Sequence, residues 1–196
     1  MWRRFRGLPT SPPPPFFPNM VKYAAFLRGV NVGGHNLVRM EDLRHRCAAL
    51  GFTNVSTYKQ SGNIVFASTA ADSSQLARQI ESLLQKLTGA PIKTTVRPLA
   101  QLQKIVRLDP FVGLTEKDAK GYVSLLLALP AKKPRLPLRS LNGGTEILLL
   151  RHDAAFCIVR PIRGRYTDPN LFLQSALGVS GTVRNWNTLT ALAALA

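Results

Sequence analysis

Val21-Lys-Tyr-Ala-Ala-Phe-Leu-Arg28 opens the stretch whose alternating patterns, ending at Arg97, decide the fold. The octapeptide is apolar enough for a central strand. A Gly- and Asn-rich loop follows, and then Met40 to Leu50 sets Met40, Leu43, Cys47 and Leu50 on one helical face, with Gly51 closing the helix. Asn54 to Tyr58 and Ile64 to Ala67 read as short strands joined through Gln60-Ser-Gly-Asn63, whose Gly and Asn tolerate the positive φ of a tight hairpin. Asp72, with Gln75 three residues on, has the spacing of a capping box and opens a second helix with the stripe Leu76, Ile80, Leu83, Leu84 and Leu87. Gly89 and Pro91 stop that helix, and Ile92 to Arg97 alternates as a strand. The order β-α-β-β-α-β is that of ferredoxin-like folds.

Working outward toward the C-terminus, the order repeats imperfectly. Leu99 to Arg107 reads as a helix and Tyr122 to Leu129 as a buried strand. Lys132 to Leu141 is a loop or short helix made irregular by Pro134 and Pro137. Ile147 to Leu150 pairs through Arg151-His-Asp153 with Phe156 to Arg160. Asp168 and Pro169 open a further helix, and another begins near Trp186 with Leu189, Leu192 and Leu195 at three-residue spacing. The expected class is therefore α+β: a ferredoxin-like lobe over residues 20–98, then a second, related α+β lobe over 99–196 closed by extra helices. Toward the N-terminus, residues 1–19 contain four consecutive prolines, Pro12 to Pro15, and no apolar periodicity, so they read as a disordered arm or as an extended start upstream of Met20.

The chain of 196 residues carries 26 Lys and Arg against 10 Asp and Glu, a formal charge of +16. That field favours anionic partners: phosphorylated metabolites, nucleic acid or acidic surfaces. The basic residues are scattered, with the densest groups at Lys132, Lys133, Arg135 and Arg139 and at Arg160, Arg163 and Arg165. Cys47 and Cys157 lie in apolar surroundings without any CxxC or Cys/His cluster, which predicts buried free thiols and a reducing, cytoplasmic setting. The three histidines have no metal-ligand spacing, and no apolar run approaches a membrane span.

Three polar segments carry the candidate site. In the loop after the first strand, Arg28, Gly29, Asn31, Gly33, Gly34 and Asn36 combine a cation with backbone able to approach an oxyanion closely. The loop matches neither GxxxxGK[ST] nor GxGxxG, and turn geometry explains its glycines equally well. In the hairpin, Gln60, Ser61 and Asn63, with Lys59 beside them, are amide, hydroxyl and cationic contacts; no base stands at a readable spacing from Ser61. In Thr182-Val-Arg-Asn-Trp-Asn-Thr188, Asn185 or Asn187 suits a helix cap. Arg184 opposes the dipole there unless an anion, either a structural carboxylate or a ligand, is close. The connection after the first strand and the hairpin are expected at opposite ends of the lobe, which leaves only the C-terminal segment to approach either one.

These segments resemble the bacterial family called domain of unknown function 1697, through Ala25-Phe-Leu-Arg-Gly-Val-Asn-Val-Gly-Gly34 with Asn36, then Met40, Leu43, Gly51-Phe52 and Tyr58, then Gln60-Ser-Gly-Asn63 and Arg184-Asn-Trp-Asn-Thr188. The resemblance covers residues 21–196 and implies an α+β fold of ferredoxin-like elements, with no known activity. Arg163-Gly-Arg-Tyr166 matches the family pattern only loosely. The expected function is a binding module for a small phosphorylated or other anionic ligand. Two alternatives stay open: an enzyme acting on such a ligand at the same site, and a protein that binds nucleic acid weakly and without sequence preference. No cofactor, metal or membrane partner is expected.

Overall fold

The computed structural model describes residues 20–196, so the arm at 1–19 lies outside the described residues. The first sheet contains β1 (Val21–Leu27), β2 (Thr53–Thr57), β3 (Asn63–Ser68) and β4 (Thr94–Pro98) in the order β2-β3-β1-β4, all pairs antiparallel. With α1 (Met40–Ala49) and α2 (Ser73–Thr88) as crossovers, this order is consistent with a split βαβ unit. The Asp72 side chain accepts from the Ser74 N–H at 2.8 Å to start α2, and Gly89 in the left-handed conformation ends it.

After α3 (Leu99–Val106) comes a second antiparallel sheet built from β5 (Lys120–Leu126), β6 (Leu138–Arg139), β7 (Thr145–Arg151), β8 (Ala154–Val159) and β9 (Gly181–Asn185). Its order is β6-β7-β8-β5-β9, with α4 (Asn170–Leu177) before β9 and α5 (Trp186–Ala193) after it. Apart from the two-residue β6, this repeats the first sheet: β7-β8-β5-β9 stands where β2-β3-β1-β4 stands. The register repeats too, since Ala24↔Val65 and Phe26↔Thr95 in the first sheet match Val123↔Phe156 and Leu125↔Thr182 in the second.

Strand pleating divides the core into three layers. Tyr23, Ala25 and Leu27 of β1 face α1 and α2, together with Leu43, Leu76, Ile80 and Leu84. The alternate residues Ala24 and Phe26 face Val123, Leu125 and Phe156 of the second sheet, with Leu99, Leu102 and Ile105 of α3 and Leu189 and Leu192 of α5 in the same layer. The outer face of the second sheet packs Leu126, Ile147, Ala155 and Cys157 against Leu173 and Leu177 of α4. A strand buried on both faces is what the unbroken apolar run at the start of the first sheet encodes.

Of the two alternatives for residues 132–141, loop or short helix, the structure shows the loop, with the two-residue β6 in it. Two expectations are corrected. Gly181 to Asn185 is a strand, which its short, polar composition hides. The loop after β1 and the β2–β3 hairpin lie at the same end, because antiparallel pairing sets Phe26 against Asn63, the last residues of one strand beside the first of the next. Both cysteines are buried and free, and burial pushes each thiol up to about 12, which keeps them protonated and poorly nucleophilic. Among the described residues no helix is long and apolar enough to cross a membrane, and no three His, Cys, Asp or Glu side chains cluster as a metal site would require.

Candidate functional site

At the C-terminal end of β1, the Leu27 N–H donates to the Gly62 carbonyl at 2.8 Å and the Arg28 N–H to the Lys93 carbonyl at 2.9 Å, so loop and hairpin are fixed side by side. Gly62 is required there twice over. Its φ is +76°, and a Cβ would come within 2.9 Å of the Leu27 Cβ. Asn63, fully buried, donates through Nδ2 to the Tyr58 carbonyl at 2.8 Å and to the Ser61 Oγ at 3.2 Å.

Arg184 reaches this end from β9 of the other sheet. Its Nε donates to the Asn63 Oδ1 at 2.6 Å, and Nη2 reaches the carbonyls of Leu27 at 2.7 Å, Gly62 at 3.0 Å and Ser61 at 3.1 Å. Nη1 donates to the Val183 carbonyl at 2.9 Å. A guanidinium has five N–H groups, so a second Nη1 N–H is left without a protein acceptor among the described residues. No described carboxylate lies within ion-pair distance of Arg184. Burial lowers its pKa to about 10, still far enough above neutrality to keep the charge. The cation is held by carbonyl dipoles, one amide and the Phe26 ring, whose centroid is 5.7 Å away.

Beside Arg184 lies a cleft of about 430 Å³ between the two sheets. Arg28, Gly29, Ser61, Arg184 and Asn185, each expected from sequence, line it. Asn31, Gly33, Gly34, Asn36, Gln60, Asn63 and Asn187 do not. Asn63 acts behind the wall by orienting Arg184. Asn31 is the lock of its loop: Oδ1 accepts from the Val38 N–H at 2.8 Å, and Nδ2 donates to the carbonyls of Val38 and Gln60. Asn36 donates to the Gly29 carbonyl, while Gly33 and Gly34 form the exposed tip with φ of +58° and +79°. Open space surrounds Gly34 where a Cβ would stand, so its conformation and not a close approach requires glycine. Asn31 and Gln60 border a neighbouring, wider depression at the start of α1. Asn185 caps α5 by accepting from the Asn187 N–H at 3.0 Å, and Asn187 itself is exposed.

Sequence reading missed Thr182, Thr188, Asp168 and Asn170 on the lining, together with the exposed apolar side chains Val32 and Leu171. Thr188 accepts from the Lys59 Nζ at 3.3 Å, which brings a third cation to the rim. Arg28 leans across the junction, its Nη2 3.3 Å from the Gln174 Oε1. Asp168, an acidic residue on the lining, is occupied in a local turn, its Oδ1 accepting from both the backbone and the side chain of Asn170. One signal was present: Thr95-Val-Arg97 and Thr182-Val-Arg184 are the same tripeptide in matching strands.

Fold and site together define an α+β protein of two antiparallel sheets with a basic cleft where they meet. The chain belongs to a family described as a protein of unknown function (DUF1697), whose sequence profile matches residues 20–156. Among curated proteins, none matches the chain. A solved structure similar to it is the conserved bacterial protein SP0830 from Streptococcus pneumoniae, at 19% identity over 90% of this chain and 98% of that one, with a TM-score of 0.60. That likeness is one of fold.

Proposed function

We propose that the protein binds a small phosphorylated or other anionic ligand in the cleft lined by Arg28 and Arg184. The observation that carries this reading is a half-buried guanidinium, fixed by protein carbonyls and without a carboxylate partner, on the wall of an open cleft. A partly desolvated charge without a counter-charge is costly, and an oxyanion beside it offsets that cost. Arg28 adds a second cation, while Ser61 and Thr188 are hydroxyl-bearing lining residues suited to oxyanion contacts. Cys47 and Cys157 are buried and protonated, and Ser61 is held by Asn63 instead of a base, so binding is the simplest chemistry for these groups.

Calorimetric titration with inorganic phosphate, pyrophosphate and a nucleoside monophosphate tests the reading. Saturable binding is expected for at least one of the three, weakened about tenfold by Arg28→Gln, the size of one charge-assisted hydrogen bond. No saturation up to millimolar concentrations with any of the three would overturn it.

A further inference from the structure

The two sheets exchange arginines. Arg184 of β9 donates its Nη2 to the carbonyl of Leu27 at the end of β1, and Arg97 of β4 donates its Nη2 to the carbonyl of Leu126 at the end of β5, at 2.6 Å. Each also donates Nη1 to the carbonyl of the valine preceding it, Val183 or Val96. Between these two arginine clamps the hydroxyls of Thr95 and Thr182 meet at 3.0 Å. The contacts are those of a twofold pair made within one chain, so each half serves as a control for the other. Arg97 does not line the cleft of about 210 Å³ at the Leu126 end, whereas Arg184 lines the cleft of about 430 Å³ at the Leu27 end. The clamp is common to both ends, and what a ligand meets is peculiar to one.

The entry to α4 makes the difference. In the first half, Asp72 accepts through Oδ1 from the Ser74 N–H, two residues on, and its Oδ2 stands 3.7 Å from the Nη2 of Arg78, six residues on. In the second half, Asp168 accepts through Oδ1 from the Asn170 N–H, again two residues on, but the residue six on is Gln174. The Oδ2 of Asp168 accordingly has no hydrogen-bond or ion-pair partner among the described residues. The turn needs one acceptor oxygen, which asparagine or serine also supplies, and leaves the second oxygen free.

Gln174 instead accepts from the Arg28 Nη2 at 3.3 Å, which ties the wall made by α4 to the wall made by the loop after β1. Each wall exposes one apolar side chain, Leu171 at 78% and Val32 at 61%. The cleft thus offers cations and a hydroxyl from Arg28, Ser61 and Arg184, a free carboxylate oxygen from Asp168, and two apolar contacts. Its volume falls within the range of small-molecule sites, about 300–1,000 Å³, and an inorganic oxyanion fills only a fraction of it. A bare anion also gains nothing from Asp168, whose like charge repels it.

We infer that Asp168 is a second recognition group of the cleft and that the ligand is a phosphate monoester of nucleotide type. Its phosphate meets Arg28, Ser61 and Arg184, a hydroxyl or N–H donor on its organic part meets the Asp168 Oδ2, and an apolar ring face rests on Val32 and Leu171. The phosphate part of this assignment rests on the proposed function; the organic part goes beyond it.

Calorimetry of the full chain with inorganic phosphate, ribose 5-phosphate, adenosine monophosphate and adenosine separates the two. Adenosine monophosphate is expected to bind at least about tenfold more tightly than inorganic phosphate, with ribose 5-phosphate between them. Asp168→Asn and Asp168→Ser both keep an acceptor for the turn. Each should weaken the two monoesters about tenfold, the size of one hydrogen bond to a charged group, and leave inorganic phosphate unchanged or tighter. Leu171→Ser, at an exposed position, should weaken adenosine monophosphate about fivefold and ribose 5-phosphate much less. Equal affinity for phosphate and both monoesters, or an equal effect of the Asp168 variants on all three, would overturn the inference and leave the anion site standing. Adenosine binding as tightly as its monophosphate would overturn the proposed function, and the role of Asp168 would then stand only if its variants weaken adenosine. No binding of any of the four overturns both.

Discussion

Ser61-Gly62-Asn63 and His152-Asp153-Ala154 occupy the same place in the two halves, each beside a strand end whose carbonyl, Leu27 or Leu126, accepts from an arginine of the other sheet, yet they share no side chain. The difference teaches that the clamp is built on backbone carbonyls. Carbonyls come with every residue, so the hairpins are free to diverge as long as the strand ends stay in register. One hairpin is tightly packed, with a glycine where no Cβ fits and a buried asparagine orienting the cation. The other is a two-residue turn with His152 and Asp153 both at positive φ, and it carries its own carboxylate.

Removing each arginine is the most forceful way to break this comparison. Arg184→Ala takes a donor from the Leu27 carbonyl and the Asn63 amide oxygen, while the Gly62 carbonyl keeps the Leu27 N–H and the exposed Ser61 carbonyl turns to water, and we expect a loss of about 3 kcal/mol. Arg97→Ala frees the Leu126 carbonyl and removes a cation whose Nε was already unpartnered, for about 1 kcal/mol. Urea denaturation of the two variants measures both; equal losses would mean that the hairpin side chains contribute nothing to the clamp.

The hairpins should also respond with opposite sign to a change at their turns. Gly62→Ala forces a Cβ onto Leu27 and Val30 in a left-handed conformation, at about 2 kcal/mol or more. His152→Gly relieves a side chain held at φ +51° and should leave stability unchanged or raise it by about 0.5 kcal/mol. Thermal melts that shift in the same direction would refute this contrast.

The smallest expected difference lies in the helices that follow the clamps. α5 starts on Asn185, whose side chain accepts from the Asn187 N–H, while α3 starts on Pro98 without a side-chain cap. Asn185→Ala should cost about 1 kcal/mol and Pro98→Ala only a few tenths, readable as a difference in urea midpoint.

The first sheet was legible because its signals are strong. Val21–Arg28 has no polar break long enough to be a loop, and the α2 stripe runs from Leu76 to Leu87 between a capping aspartate and Gly89. The second sheet was legible only in part. β9 alternates Thr182, Val183 and Arg184 over five residues directly before a helix, and it is short and polar, so neither hydrophobicity nor length marks it. The site had the same limit. Its motifs were visible as polar residues in unusual places, but that they share one end follows from antiparallel register, and the division between lining residues such as Arg28 and bracing residues such as Asn31 and Asn63 depends on side-chain direction. Comparing Thr94-Thr-Val-Arg-Pro98 with Gly181-Thr-Val-Arg-Asn185 would have exposed both the missing strand and the pairing of the halves.

The meeting of Thr95 and Thr182 sets a bound on how alike the halves can be. Both residues are about 1% exposed, and either hydroxyl is able to donate to the other. Two hydroxyls face to face share a single proton along the line between their oxygens, so one is the giver and its twin the receiver. The receiver's own proton must rotate toward a different acceptor. Perfect twofold equivalence is thus broken at a hydrogen atom even where the residues are identical, and the pair is a small directional switch sealed in the interior, whose reversal requires both O–H groups to turn together.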